Sequence, residues 1–184
     1  HIESQFPRYA ELAQPRRHTV ADVRAALAEG ETLLSYFVMG DASVVFVIDR
    51  KSFRVVTLNA GRADLRLLVD RFRRPFTELQ GIDDLRRWNP ESAVALYEAV
   101  VAPLAALLPK HGRLIIAGDD ALYTLPFEAL LAGEVRPMAT ESGPVFRDYA
   151  AWPWFGDRHS IGYVPSAGAL LALRKEARAG AWKQ

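Results

Sequence analysis

The sequence predicts an α/β fold in which a mixed sheet with a β-meander is flanked by helices. Three apolar runs rich in β-branched and aromatic residues follow one another between residues 32 and 58, which is typical of a meander. Segments with helical spacing of apolar residues precede and follow these runs, and further short strands come later. At 184 residues, 50% of them hydrophobic, the chain can bury a core as one domain.

Residues 1–18 are polar and precede the first predicted element of the domain. Phe6, Tyr9 and Leu12 lie at helical spacing, and Pro15 follows them. We interpret this stretch as a linker or as the end of an upstream helical region, and assign residues 19–184 to the domain itself.

The first predicted helix leads directly into the meander. Thr19 with Asp22 three residues later predicts a capping box, and a helix over 19–29 ends at Gly30. The second strand is almost wholly apolar, so we expect it to be covered on both faces. The three strands are predicted over 32–38, 43–48 and 53–58.

Two longer helices are predicted to cover the sheet, over 61–80 and 90–108. Asn89 is the predicted cap of the second, with Pro90 in its first turn. Pro75 and Pro103 should kink or end the helices in which they lie. The apolar stripe of the first helix consists of Leu65, Leu68, Val69, Phe72 and Phe76.

The C-terminal half alternates short strands, turns and one helix. A strand over 113–117 ends at Gly118, and Pro126 is placed to begin a helical turn. Residues 133–158 lose periodicity and predict a long excursion with one hairpin. A strand over 160–164 and a helix over 167–178 follow.

Composition excludes several classes of function. The chain has no cysteine, so it cannot supply a disulfide, a thiolate metal site or a cysteine nucleophile. Its formal net charge of +1 gives little attraction to nucleic acid or to an anionic membrane. No apolar run approaches the roughly 18 to 20 residues that cross a bilayer, and no secretion signal is evident, so we expect a cytoplasmic protein.

The histidines predict neither a metal site nor a catalytic pair. His1, His18, His111 and His159 are scattered without ligand spacing. Neighbouring residues on a strand point to opposite faces, so His159 cannot serve Ser160 as a base. No nucleotide-binding glycine motif occurs, and we expect no cofactor.

Two charged groups have a functional and a structural interpretation. Asp119 and Asp120 follow a strand end where magnesium could bind, but a turn with an aspartate cap is favoured because a third ligand is missing. The arginine-rich segment predicts a solvated helix face, since its aromatic residues lie on the apolar stripe. Its arginines are Arg62, Arg66, Arg71, Arg73 and Arg74.

Several blocks resemble the first half of a CHAT domain, a caspase- and separase-related module often found behind tetratricopeptide repeats in bacterial proteins. The most specific block is Leu122-Tyr123-Thr124-Leu125-Pro126-Phe127-Glu128-Ala129-Leu130. A second is Tyr163-Val164-Pro165-Ser166-Ala167, and the strands around Glu31–Phe37, Phe46–Ile48 and Leu114–Ala117 agree with them. The resemblance covers roughly residues 8 to 178.

The resemblance implies a caspase-like layered fold that is incomplete at its C-terminus. Active members are cysteine peptidases whose His and Cys would lie beyond this chain, so no catalytic, cofactor-binding or metal residue is assigned here. The expected function is a non-catalytic, pseudo-caspase-like scaffold that supports substrate or partner recognition by the catalytic half. Its expected partners are that half and upstream tetratricopeptide repeats.

Two alternatives and one local ambiguity stay open. The chain could be a stand-alone protein-interaction module, or, with least support, a cysteine-free enzyme using Asp119, Asp120 and His159. Four apolar residues could either contact a catalytic half or close the local core. They are Trp152, Trp154, Phe155 and Val164.

Overall fold

The computed structural model describes residues 18–78, 80–81, 88, 90–135, 149–178 and 180. These ranges contain five strands and four α-helices. The strands are β1 (Glu31–Val38), β2 (Ser43–Asp49), β3 (Phe53–Leu58), β4 (Gly112–Ala117) and β5 (His159–Tyr163). The helices are α1 (Val20–Ala26), α2 (Arg62–Thr77), α3 (Glu91–Val100) and α4 (Ala167–Arg178). Short 3-10 helices span Ala102–Leu107, Asp120–Thr124, Phe127–Ala129, Tyr149–Ala151 and Phe155–Asp157.

The strands form one mixed sheet in the order β3-β2-β1-β4-β5. The meander β1–β2–β3 is antiparallel, whereas β4 pairs parallel with β1 and β5 pairs parallel with β4. Strand β1 therefore lies at the junction of the two halves. This arrangement confirms the predicted mixed α/β sheet with a meander and flanking helices.

Alternation along the strands divides the core between the two faces of the sheet. Leu34 and Tyr36 contribute to the larger cluster, which also contains buried residues of α2 and α3. Leu33 and Ile115 contribute to the smaller cluster, with buried residues of α1 and α4. Helices thus lie on both faces, which explains why β2 carries so few polar residues.

Helix α1 begins as predicted and ends earlier. The Thr19 hydroxyl accepts a hydrogen bond from the Asp22 N–H at 3.2 Å, and the Asp22 carboxylate accepts one from the Thr19 N–H at 2.8 Å. The predicted helix over 19–29 is wrong at its end, because Leu27 has an extended backbone. The Glu31 carboxylate then binds the Ala28 N–H at 2.7 Å and holds the turn into β1.

Prolines shorten both long helices. Helix α2 ends at Thr77, two residues after Pro75, instead of reaching residue 80. The predicted helix over 90–108 ends as an α-helix at Val100, and Pro103 lies in the 3-10 turn that follows. A proline lacks the N–H that would continue the α-helical pattern and its ring clashes with the preceding turn.

Two details of these helices differ from the sequence prediction. Phe76, on the predicted apolar stripe of α2, is 44% exposed near the helix end, although its ring packs 5.8 Å from that of Phe72 and 5.6 Å from that of Trp88. The cap residue of α3 is Pro90, one residue later than the predicted cap Asn89, which lies outside the described residues. The stripe otherwise holds, since Leu65, Val69 and Phe72 are buried.

The C-terminal elements match their predicted positions within one residue. The helical turn after Pro126 is the 3-10 helix Phe127–Ala129, and the Ser166 hydroxyl accepts a hydrogen bond from the Ala169 N–H at 3.1 Å at the start of α4. Residues 136–148 of the predicted excursion lie outside the described residues, and an antiparallel bridge joins Leu131 to Trp154 on either side of them. None of the helices in the described ranges has the length and apolarity to cross a membrane.

Candidate functional site

Strand β5 forms one edge of the sheet and is the candidate functional surface. The Val164 N–H donates to the Ile116 carbonyl of β4 at 2.9 Å. Because backbone groups alternate sides along a parallel strand, those of Ile161 and Tyr163 point away from β4. Within the described ranges no strand pairs with this outer side. The surface is therefore a row of hydrogen-bonding groups able to accept another strand.

Tyr163 holds the carboxyl end of β5 against the Leu122–Leu130 block. Its hydroxyl accepts a hydrogen bond from the Phe127 N–H at 2.8 Å and donates one to the Glu128 carboxylate. Burial, together with the Glu128 carboxylate, raises the pKa of Tyr163, so the phenol keeps its proton as a donor. Two sequence blocks that are 36 residues apart at this hydrogen bond thus form one structural unit.

Asp119 has a structural role at the turn after β4. Its carboxylate accepts hydrogen bonds from the Val38 N–H of β1 at 2.8 Å and from the Asp120 N–H at 3.0 Å. These contacts cap the following 3-10 helix and connect β4 to β1. Gly118 makes the turn possible, because a Cβ there would lie 2.7 Å from the Leu122 carbonyl oxygen.

Asp120 faces arginine side chains of α2. Arg66 binds it with Nε at 2.6 Å and Nη2 at 2.8 Å, and Arg62 lies 3.3 Å away. Hydrogen bonding to Arg66 lowers the pKa of Asp120. The backbone of Asp120 has a positive φ of 50°, a conformation that aspartate adopts more readily than most residues in turns. These contacts support the turn interpretation of this pair over the magnesium interpretation.

His159 lies far from Asp119 and Asp120. It pairs with Gly112, the first residue of β4, while Asp119 follows the other end of that strand. At about 3.3 Å per residue the separation is roughly 20 Å, so the three residues form no common site. His159 packs on Phe155, and burial is the main cause that lowers its pKa. The cysteine-free enzyme hypothesis therefore has no geometric support.

The arginines of α2 and two of the histidines lie at the surface. Arg66 pairs with Asp120 and Arg74 with Asp70 at 2.6 Å on the exposed side of α2, in agreement with a solvated helix face. His18 and His111 are exposed. In the part of the chain that the structure describes, no three His, Cys, Asp or Glu side chains are grouped so that they could hold a metal ion.

The tryptophans close the local core instead of forming a free surface. Trp88 stacks on Tyr149 and Trp154 with centroid distances of 5.8 and 6.0 Å, and Trp152 lies 5.6 Å from it. Trp88 and Trp152 are buried, as is Phe155. Val164 packs with α4 on the opposite face of the sheet. Of the two interpretations of these residues, local core packing is therefore the one supported.

One buried charged group was not found by sequence reasoning. Glu31, only 3% exposed, lies between Arg174 of α4 and Arg113 of β4 at 2.6 and 3.4 Å. Burial raises the pKa of Glu31, but hydrogen bonds from Ala28 N–H, Arg174 and Arg113 outweigh it and lower the pKa overall. Glu31 and Arg174 are 143 residues apart, so no local pattern signals their contact.

The fold and the site together define a class: a layered α/β domain of caspase-like type, in which the outer side of β5 pairs with no other strand of the described ranges. A family model of the CHAT domain matches residues 90–182, and the chain belongs to the CHAT domain family. The match includes both specific blocks, Leu122–Leu130 and Tyr163–Ala167. The meander strands lie outside the matched range. No curated protein matches this chain.

Proposed function

We propose that this chain is the non-catalytic, pseudo-caspase-like scaffold of a CHAT-type cysteine peptidase, which offers the outer edge of β5 to the next strand of a catalytic half. The observation that carries the proposal is the open edge at Ile161 and Tyr163. Helix α4 follows β5 at once and packs on one face of the sheet. A right-handed β–α–β connection from β5 through α4 would bring a parallel strand to this edge.

The chemistry agrees with a scaffold role. Peptide hydrolysis by this class needs a thiolate and an imidazole, and the chain has no cysteine. His159 is buried with its Nδ1 unbonded among the described atoms, which suits packing against Phe155 and not proton transfer. The catalytic His and Cys are therefore proposed to come from the catalytic half, and tetratricopeptide repeats to precede residue 1, in a cytoplasmic bacterial protein.

The same edge also supports a second function, a stand-alone interaction module. An extended segment of another protein could add to β5 as a strand, with backbone hydrogen bonds giving affinity. The two functions differ in the source of the added strand. In the first it belongs to the same polypeptide, and in the second to a partner.

Activity assays distinguish the two. The 184-residue chain and the product of the whole reading frame that contains it are incubated with a mixed peptide library, with and without a thiol alkylator. Cleavage by the longer product alone, abolished by the alkylator, supports the peptidase scaffold. Cleavage by the 184-residue chain that survives alkylation contradicts both functions. Inactivity of both favours the interaction module.

A variant at the edge tests the role of β5. Ile161→Pro removes an outward N–H, whereas Ile161→Ala, the matched control, removes side-chain packing and keeps that N–H. We expect Ile161→Pro to reduce alkylator-sensitive cleavage by the longer product far more than Ile161→Ala does. Equal activities, with circular dichroism showing both variants folded, would contradict a strand docked on β5.

A further inference from the structure

Strand β3 forms the other edge of the sheet. It lies at the end of the order β3-β2-β1-β4-β5, and no strand of the described ranges pairs with its outer side. Protected edges commonly carry a proline, a lysine, a bulge or an inward-pointing charge. Strand β3 contains neither a proline nor a lysine, its register with β2 is continuous, and its charged residue is Arg54. The edge is therefore able to accept another strand.

The hydrogen-bonding groups that face outward belong to alternate residues of β3. The Asp49 N–H donates to the Ser52 carbonyl at 3.1 Å, so this pair closes the hairpin with a bond between the two strands. Bonded and non-bonded pairs alternate along an antiparallel ladder. The next pair includes Phe53 and is non-bonded. The backbone groups of Phe53, Val55 and Thr57 therefore point away from β2.

The same residues direct their side chains to one face of the sheet. Phe53 packs there with Phe46 of β2, with ring centroids 6.2 Å apart. Val55 is 54% exposed, and Thr57 is exposed as well. Arg54 points to the other face, because side chains alternate along a strand. An exposed valine with outward backbone groups thus lies in the middle of the edge.

We propose that β3 pairs antiparallel with β3 of a second copy of this chain, about a two-fold axis at Val55. In this register Val55 faces its own counterpart, and Phe53 faces Thr57 of the other copy. Each of these pairs exchanges two backbone hydrogen bonds. The exposed valines of the two copies pack against each other, and the two sheets become continuous.

Charge and hydrogen bonding select this register. An axis at Arg54 would place two guanidinium groups opposite each other, which is unfavourable. An axis at Val56 would leave Phe53 beyond the end of the opposing strand. With the axis at Val55, Arg54 faces Val56 and like charges do not meet. Arg54 Nη1 now bonds the Phe53 carbonyl at 2.9 Å, and on pairing the Thr57 N–H of the other copy replaces it.

A second copy fits this edge because it presents the same pattern of groups by symmetry. Assemblies of identical chains about a two-fold axis are the commonest oligomers. One pair of strands buries less than the roughly 800 Å² per partner of a standard stable complex, so we expect a dimer that depends on concentration. This contact does not use the outer side of β5, so the proposal is independent of both functions proposed above.

Opposite charges at the axis test the proposal. Sedimentation equilibrium of the 184-residue chain should show an average mass that rises from 20.5 kDa toward twice that value as the concentration increases. Val55→Lys and Val55→Glu each place like charges opposite each other, so each should associate at least about tenfold more weakly than the wild type. An equimolar mixture of the two should restore association to within about threefold of the wild type, because lysine then faces glutamate.

The matched controls carry the same charges on the same face, away from the edge. Phe37 of β1 is 55% exposed, close to the 54% of Val55, and β1 lies two strands from the edge. Phe37→Lys and Phe37→Glu should associate as the wild type does. Circular dichroism compares the folding of all four variants.

A second measurement uses an introduced cysteine, because the chain has none. At the axis, Val55→Cys is in a bonded pair with a Cα separation of about 5.5 Å, which a disulfide can span. Thr57→Cys is the control, since it lies on the same face but about 13 Å along the strand from its counterpart. We expect disulfide-linked dimers of Val55→Cys to form at least about tenfold faster under mild oxidation.

Three results would overturn the proposal. A mass that stays at 20.5 kDa at all concentrations, with equal cross-linking of the two cysteine variants, would show that the edge does not pair with a second copy. Association that the Val55 variants leave unchanged, or that the Phe37 variants weaken equally, would place the contact elsewhere. A mixture that associates as weakly as its separate components would contradict an axis at Val55.

Discussion

Arg174 of α4 donates two hydrogen bonds, at 2.6 and 2.8 Å, to the carboxylate of Glu31 at the first residue of β1. The contact fixes the second half of α4 to the amino end of the sheet, and Arg113 of β4 adds a weaker bond at 3.4 Å. Elements from both ends of the domain thus meet at one buried carboxylate.

Loss of this contact should destabilise the domain. Arg174→Ala leaves Glu31 buried without its principal partner, and we expect the free energy of unfolding to fall by about 1 to 3 kcal/mol. Urea denaturation measures the change. Arg73→Ala, at an exposed position of α2, is the control and should stay within about 0.5 kcal/mol of the wild type. Equal midpoints for the two variants would show that the Arg174–Glu31 pair contributes nothing.

The same carboxylate should make stability depend on acid. The pKa of Glu31 is lower in the folded chain than its ordinary value of 4.5, so its contribution is complete above that value and is lost as the pH falls through the folded pKa. Denaturation at a series of pH values from about 6 to 3 should show a steeper loss for the wild type than for Glu31→Gln. Identical slopes would exclude Glu31 as a source of acid sensitivity.

Phe127 should be a principal core residue of the block between β4 and β5. It is fully buried and its ring lies 5.4 Å from that of Tyr36. We expect Phe127→Ala to cost about 3 to 5 kcal/mol, because it removes a large side chain from a packed core. Tyr123→Ala, at a side chain that is 60% exposed, provides the comparison and should change thermal stability little. A wild-type melting temperature for Phe127→Ala would contradict the packing of this block.

Gly118 should tolerate no side chain. A Cβ would approach the Leu122 carbonyl oxygen to 2.7 Å, so Gly118→Ala must displace the backbone, at a cost of about 1 to 3 kcal/mol. Gly162→Ala on β5 is the matched control, because no atom lies within 4 Å of its Cβ position. Thermal denaturation of both variants gives the comparison. Equal stability would mean that the turn after β4 moves freely.

Local sequence signals predicted those parts of the fold that depend on near neighbours. The capping box of Thr19 and Asp22 is confirmed by its two hydrogen bonds. The strands are confirmed within a residue or two, because a run of β-branched residues between turn residues strongly favours a strand over other structures. Helix ends were less accurate. Leu27 is extended where the helical pattern continues, and the next N–H, that of Ala28, is bonded to the carboxylate of Glu31, a residue outside the helical pattern.

Contacts between distant residues could not be predicted in the same way. Asp120 was correctly placed in a turn, but its partner Arg66 is 54 residues away and lies on another element. The packing of Trp88 among Tyr149, Trp152 and Trp154 likewise joins residues that are far apart in the sequence, so it depends on the tertiary fold and not on a local pattern. The position of β5 at the edge follows from the order of the strands in the sheet, and the periodicity of apolar residues predicts strands without predicting that order. The family resemblance, by contrast, depended on two short blocks and is confirmed.

The central position of β1 has a consequence for the order of folding. The meander needs only tight turns, because β1, β2 and β3 are neighbours in sequence, whereas Glu31 meets Arg113 across 82 residues. Closing short loops is faster than closing long ones. During synthesis the meander can therefore form first, with β1 paired to β2 on one side. The backbone groups on the other side of β1 stay unpaired until β4 has been translated.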